Sequence, residues 1–124
     1  MDSKQTPVDA AFCPYFHEAA ELIGRRWTGA ILRALFSGRT HFNCIKSSIP
    51  DLTARMLSER LKELEAEGIV TRRIIPNPLG TEYCLTPKGE ALRPVLDSIS
   101  QWAYAWLPPE DEQEQSAEAV SAVG

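Results

Sequence analysis

Histidine and cysteine are scarce in this 124-residue chain, with two and three copies respectively. Cys13, Cys44 and Cys84 are widely spaced, odd in number and form no Cys-x-x-Cys pair, so neither a disulfide framework nor a zinc knuckle is suggested. His17 and His41 belong to no nucleophile or metal motif. Cys13 and His17 lie one helical turn apart but bring no third partner and no oxyanion feature. The expectation is a protein that is not an enzyme and uses no metal and no cofactor. Long apolar runs are missing too: none approaches the roughly 20 residues of a membrane span. The opening Met1-Asp2-Ser3-Lys4-Gln5 lacks the basic-then-apolar layout of a signal peptide. A cytoplasmic protein without a membrane partner is expected.

What is present fits one modest core, since 44% of residues are hydrophobic and 24% charged. The net charge of −4 argues against a nucleic-acid partner until it is divided along the chain. Residues 108–124 hold five acids (Glu110, Asp111, Glu112, Glu114, Glu118) and no base; without them thirteen bases face twelve acids, a balance of +1. Between Arg25 and Arg73 ten bases face five acids, a balance of +5. Positive charge is central and clustered. Residues 1–12 read as a flexible arm, 13–107 as a single compact domain and 108–124 as an acidic, disordered tail.

Periodicity predicts a first helix over Tyr15 to Ile23, with Pro14 in its first turn and Gly24 as a left-handed stop. Trp27, Ile31, Leu32 and Leu35 predict a second, ended by Ser37-Gly38. A short extended piece at Thr40-His41 leads to a third helix carrying Phe42, Ile45 and Ile49. Pro50-Asp51 turns the chain, and Thr53 caps a fourth helix that runs to Glu67 with Leu57, Leu61 and Leu64 on one face and Gly68 as its stop. Two helices around a tight turn make a helix-turn-helix. The period then changes to that of a hairpin: Ile69 to Ile75, a turn at Pro76 to Gly80, and Thr81 to Leu85. Thr86-Pro87 opens a last helix with an apolar stripe of Leu92, Val95, Leu96, Ile99, Trp102 and Trp106. The predicted class is α+β, mainly helical: a winged helix-turn-helix with a two- to three-stranded antiparallel wing sheet and a C-terminal dimerisation helix.

With Leu57, Leu61 and Leu64 turned inward, the fourth helix presents Thr53, Ala54, Arg55, Ser58, Glu59 and Lys62 outward. That set suits a major groove. Arg55 reaches guanine O6 and N7, Thr53 and Ser58 bond bases or phosphates, and Ala54 meets a thymine methyl. Glu59 is discordant, and fits if it orients an arginine or reads cytosine N4. The plainer alternative is a solvated helix face laced by intrahelical ion pairs. Arg25, Arg26, Arg39, Lys46, Arg72 and Arg73 lie in elements that flank this helix in a winged helix, where they can neutralise phosphates or form structural salt bridges.

Several pieces then fall into one order: Cys13-Pro14, Leu22-Ile23-Gly24, Trp27-Thr28, Ile31-Leu32-Arg33, Phe42-Asn43, the block Met56 to Glu65, Gly68-Ile69-Val70, Glu82-Tyr83 and Leu85 to Gly89. From Cys13 to about Trp102 the chain resembles the HxlR-type bacterial transcriptional regulators, a winged-helix group related in fold to the MarR regulators. The resemblance implies a sequence-specific DNA-binding regulator, a repressor, that acts as a homodimer on a pseudo-palindromic stretch of double-stranded DNA. It sets the two recognition helices about 34 Å apart and assigns the final helix to the dimer interface. The apolar stripe agrees, being more than a small monomer should expose. One departure stands at the hairpin tip, where Leu79-Gly80-Thr81 replaces the family's basic residue and leaves Arg72 or Arg73 to serve at the wing base.

The resemblance also implies a sensor, because several such regulators respond to electrophiles through a cysteine near the first helix, the position of Cys13. A thiol at a helix N-terminus gains from the helix dipole, and from Arg25 or Arg26 if they fold nearby. The simpler role for Cys13 is a small capping residue at an interface. Cys44 and Cys84 read as inert core thiols. An aromatic ligand pocket lined by Phe12, Tyr15, Phe16, Trp102 and Tyr104 is a further expectation, with interface packing as its rival. Against the whole regulator reading stands a winged-helix protein–protein interaction module without DNA binding, which the acidic tail keeps open.

Overall fold

A computed structural model describes residues 11–107; residues 1–10 of the expected arm and all of the expected tail lie outside the described residues. Helix α1 (Pro14–Gly24) begins at Cys13, whose Sγ accepts the Phe16 amide at 3.4 Å, with Pro14 at a position where its missing N–H costs nothing. Helix α2 (Thr28–Phe36) runs through the centre, with Ile31 and Leu32 fully buried. The joint between them corrects the sequence reading. Gly24 ends α1 inside the helix, Arg25 is extended, and the left-handed residue is Trp27 at φ 77. A bulky residue accepts that conformation only where packing over-determines it. Here the Trp27 ring packs on the core under the Arg26 guanidinium, 4.9 Å from the ring centre.

Helix α3 (Phe42–Ser48) anchors Ile45 in the core, and the following turn places Asp51 at φ 68. Helix α4 (Ala54–Ala66) starts where Thr53 Oγ1 accepts the Met56 amide at 3.1 Å, and Gly68 at φ 76 takes the chain out of it. Leu57, Leu61 and Leu64 are all buried, as their spacing required.

Strands β1 (Val70–Arg73) and β2 (Glu82–Leu85) pair antiparallel, from Val70 opposite Leu85 to Arg73 opposite Glu82. The third strand is reduced to a single bridge between His41 and Glu82. Both strands are shorter than predicted at the tip. Continuing the register would set Ile74 against Thr81, but the Thr81 carbonyl is taken by the Phe42 amide at 2.9 Å. The Leu79 carbonyl likewise accepts the Asn43 amide at 3.0 Å, so the returning half of the wing loop caps the first turn of α3. Gly80, at φ 93, lies against that turn; a Cβ there would sit 3.1 Å from Phe42 Cβ.

The last predicted helix is two. Helix α5 (Pro87–Glu90) is a single turn capped by Thr86, and α6 (Arg93–Trp106) follows after a break. Pro94 is the cause, since it has no N–H for the Glu90 carbonyl and its ring would strike that carbonyl. Gly89 is packed so tightly under the sheet that a Cβ would come within 2.2 Å of the Ile69 carbonyl oxygen. One cluster joins α2, α3, α4, the base of the sheet and Leu96 of α6.

Candidate nucleic-acid interface

The leucines that bury one side of α4 decide what the other side offers. Thr53, Ala54, Arg55, Glu59 and Lys62 are exposed and Ser58 is half-buried, so the six residues named from sequence share one accessible surface. Arg55 is the most projecting, with its side chain 88% exposed. Its Nε donates to Glu59 Oε2 at 3.3 Å, one turn along the helix. The ion pair on this face is thus Arg55 with Glu59, and Lys62 forms none among the described residues. Thr53 spends an acceptor lone pair on its cap but keeps a hydroxyl proton to donate.

Lys46, in the last turn of α3, is exposed and has no ion-pair partner among the described residues, and the same holds for Arg72 on β1. Arg73, also exposed, reaches Glu82 across the ladder at 3.5 Å, so it has an ion-pair partner within the wing. Burial holds the Tyr83 phenol's pKa above the usual tyrosine value; Arg72 pulls it down and Glu65 pushes it up, both more weakly.

Other basic residues named from sequence serve structure. Arg25 meets Glu63 at 3.5 Å, Arg26 stacks on Trp27, and Arg39 donates to Ser37 at 3.1 Å. Arg60, which pattern reasoning passed over, ties these together: it donates to the Arg26 carbonyl at 2.9 Å and to Glu63 at 3.0 Å. Its signal was the Arg60/Glu63 spacing of three on a helix. Lys88, equally unforeseen, donates to the Glu67 carbonyl at 2.7 Å and satisfies the end of α4. Arg93 stacks on Phe36 at 4.6 Å and Arg33 donates to Ser100, two contacts that fix α6 against α2.

Along the α6 stripe, Leu96 is buried and Leu92 packs on the core, whereas Val95, Ile99, Trp102 and Trp106 are 42%, 50%, 57% and 71% exposed. Phe12, Tyr15 and Phe16 near the start of α1 are exposed as well. A groove of about 720 Å³ lies along α1 and is lined by Tyr15, Glu18, Leu22 and Arg25 with Glu67 and Lys88; of the expected aromatic set it includes Tyr15.

Cys13 is half-buried. Arg25 and Arg26 do not fold beside it, because Cys13 caps one end of α1 and Arg25 the other, an eleven-residue helix of ~16 Å apart. Cys44 and Cys84 are half-buried rather than core residues. His17 stacks near Phe12 at 5.3 Å, and His41 joins the sheet through its bridge to Glu82. Among the described residues no group of three His, Cys, Asp or Glu side chains is placed to hold a metal, and no helix is long and apolar enough to cross a membrane.

A tight helix pair with an exposed polar face on its second helix, followed by a two-stranded wing, defines a winged helix-turn-helix protein. The chain belongs to the HxlR-like helix-turn-helix family, whose model matches residues 22–111. It is 47% identical over 98 residues to the HTH-type transcriptional regulator YvaP of Bacillus subtilis, covering 78% of this chain and 91% of the relative. To YodB, an HTH-type transcriptional regulator of the same organism, it is 41% identical over 100 residues, covering 80% and 89%. The solved reduced form of YodB superposes with a TM-score of 0.67 at 39% identity, covering 79% of this chain and 97% of that one. A quinone-bound form of YodB matches at 0.66, 40% identity, 77% and 100% coverage. The redox regulator HypR in its reduced form matches at 0.67, 32% identity, 73% and 91%. The chain is therefore a DNA-binding transcriptional regulator by family and by fold.

Proposed function

We propose that this regulator is a homodimeric repressor that reads a pseudo-palindromic operator with the outward face of α4 and is released from DNA when Cys13 reacts with an electrophile. The observation that carries the reading is the α4 face itself: six groove-compatible side chains, Lys62 among them, on one accessible surface, with Lys46 of α3 and Arg72 of β1 exposed as well. Arg55 reads a guanine, Ser58 and Thr53 bond bases or phosphates, and Ala54 packs on a thymine methyl. Lys46, Lys62, Arg72 and Arg73 set register through phosphates. The exposed half of the α6 stripe supplies the apolar area for pairing two copies, which puts two recognition helices on successive turns of one duplex. With DNA in the cell interior as its target, the protein works in the cytoplasm.

Cys13 supports the sensor part by position. Its sulfur stands at the positive end of α1, half-buried and close in sequence to the exposed aromatics Phe12, Tyr15 and Phe16. A thiolate there adds to an electrophilic carbon or, with a two-electron oxidant such as diamide taking up the electrons, forms a disulfide with a second thiol, and either product changes the packing around the start of α1. YodB, similar to this chain, has been solved with a quinone bound, and HypR is a redox regulator.

The deciding experiment is a gel-shift titration on the intergenic DNA upstream of the chain's own gene at several salt concentrations. Binding that weakens steeply with salt and loses sequence preference in Arg55→Ala is expected. Indifference to both would transfer the chain to the protein-binding alternative. For the sensor, a quinone or diamide should release DNA from wild type and not from Cys13→Ser; equal release from both removes Cys13 from the mechanism.

A further inference from the structure

Glu59 is a carboxylate on a surface that must approach a polyanion, and its place there needs a reason. Arg55 makes a single contact, Nε to Glu59 Oε2 at 3.3 Å, and is otherwise open to solvent. Lys62 lies three residues further along the same helix and forms no ion pair with Glu59 among the described residues. Exposed ion pairs at this spacing contribute little to folding. The pair must therefore be understood by what it does to the arginine.

A guanidinium has five N–H donors, one on Nε and two on each terminal nitrogen. It can grip guanine O6 and N7 either with its two terminal nitrogens or sideways, with Nε and one of them. With Nε committed to Glu59, only the terminal pair remains. Resting on the base-reading function proposed above, we infer that Glu59 is a specificity-determining residue that positions Arg55: it locks the guanidinium into the end-on orientation for one guanine. The same negative charge disfavours the alternative in which Arg55 swings to a phosphate, the contact every DNA sequence offers. Glu59 touches no base in this arrangement and acts through Arg55.

Selection of bound sites from a randomised duplex library, followed by titration on the selected and a scrambled duplex, tests this with the full chain. Four proteins are compared: wild type, Arg55→Ala, Glu59→Ala and Glu59→Gln. Arg55→Ala should lose preference at one G·C pair per half-site, and Glu59→Ala should lose roughly tenfold in discrimination at that same pair while binding the scrambled duplex at least as tightly as wild type. Glu59→Gln keeps an acceptor for Nε without the charge. It should retain most of the preference at that pair yet bind scrambled DNA more tightly, a split that a merely structural role would not produce. Unaltered preference in Glu59→Ala, or a loss at a different base pair, overturns the positioning role while leaving Arg55 as a reader. If Arg55→Ala and wild type select the same sites, the base-reading function falls first and this inference with it. Equal thermal midpoints for all four proteins exclude a folding cause.

Discussion

Helices α4 and α6 are both amphipathic, yet one is satisfied inside its own chain and the other is not. Every leucine of the α4 inner face is buried, and what remains outside is polar, charged or as small as Ala54. On α6 only Leu96 is buried, and four large apolar side chains of its stripe stand in solvent. The first pattern asks for a polar partner and the second for an apolar one. Amphipathicity alone is therefore ambiguous: it becomes informative once the burial of each face is known. A helix whose apolar side is full can read DNA without loosening the fold, whereas a helix whose apolar side is half empty is where two chains would meet.

The contrast breaks most visibly by emptying the core side of α4. Leu61→Ala should lower the unfolding free energy by about 2–5 kcal/mol, measured by urea denaturation, with DNA binding lost only in proportion to the unfolded fraction. Changing the exposed side of α6 should do the reverse. Ile99→Asp with Trp102→Asp should shift sedimentation from dimer to monomer, while the monomer unfolds within about 0.5 kcal/mol of a wild-type monomer at matched dilution; a stable dimer in this variant would remove α6 from the interface. Between these, Thr53→Ala removes the α4 cap and should cost about 1 kcal/mol of stability, visible as a lower thermal midpoint of the DNA-free protein. The smallest effect belongs to a single phosphate contact. Arg72→Ala should weaken binding to all sequences alike and reduce the slope of log affinity against log salt by about 1, whereas the same change at Arg55 alters preference.

Much of this was legible in the residues. The leucine spacing gave the two faces of α4 because a helix with three buried positions has no freedom left in its rotation. The apolar excess after residue 92 announced a surface in need of cover. What sequence could not supply was long-range partnership. Arg60 meets the Arg26 carbonyl across 34 positions and Lys88 meets that of Glu67 across 21, and nothing local marks either. The strand ends differ from the predicted ones for the same reason, since Ile74 loses its partner to Phe42, a residue of another element. Two departures have local causes: Pro94 breaks the predicted last helix, and an extended Arg25 followed by a left-handed Trp27 shows that a glycine near a helix end need not be its stop.

The hydrogen bonds from the wing loop to α3 have one more consequence. Amides in the first turn of a helix ordinarily face water and exchange quickly with deuterium, but those of Phe42 and Asn43 are closed by carbonyls 36 or more residues away. They can open only when the loop lifts, so their exchange clock should run in step with that of the Gly80 amide, which closes the same loop on Asn77. The hairpin and the third helix thus behave as a single stiff bracket, and neither tilts without carrying the other.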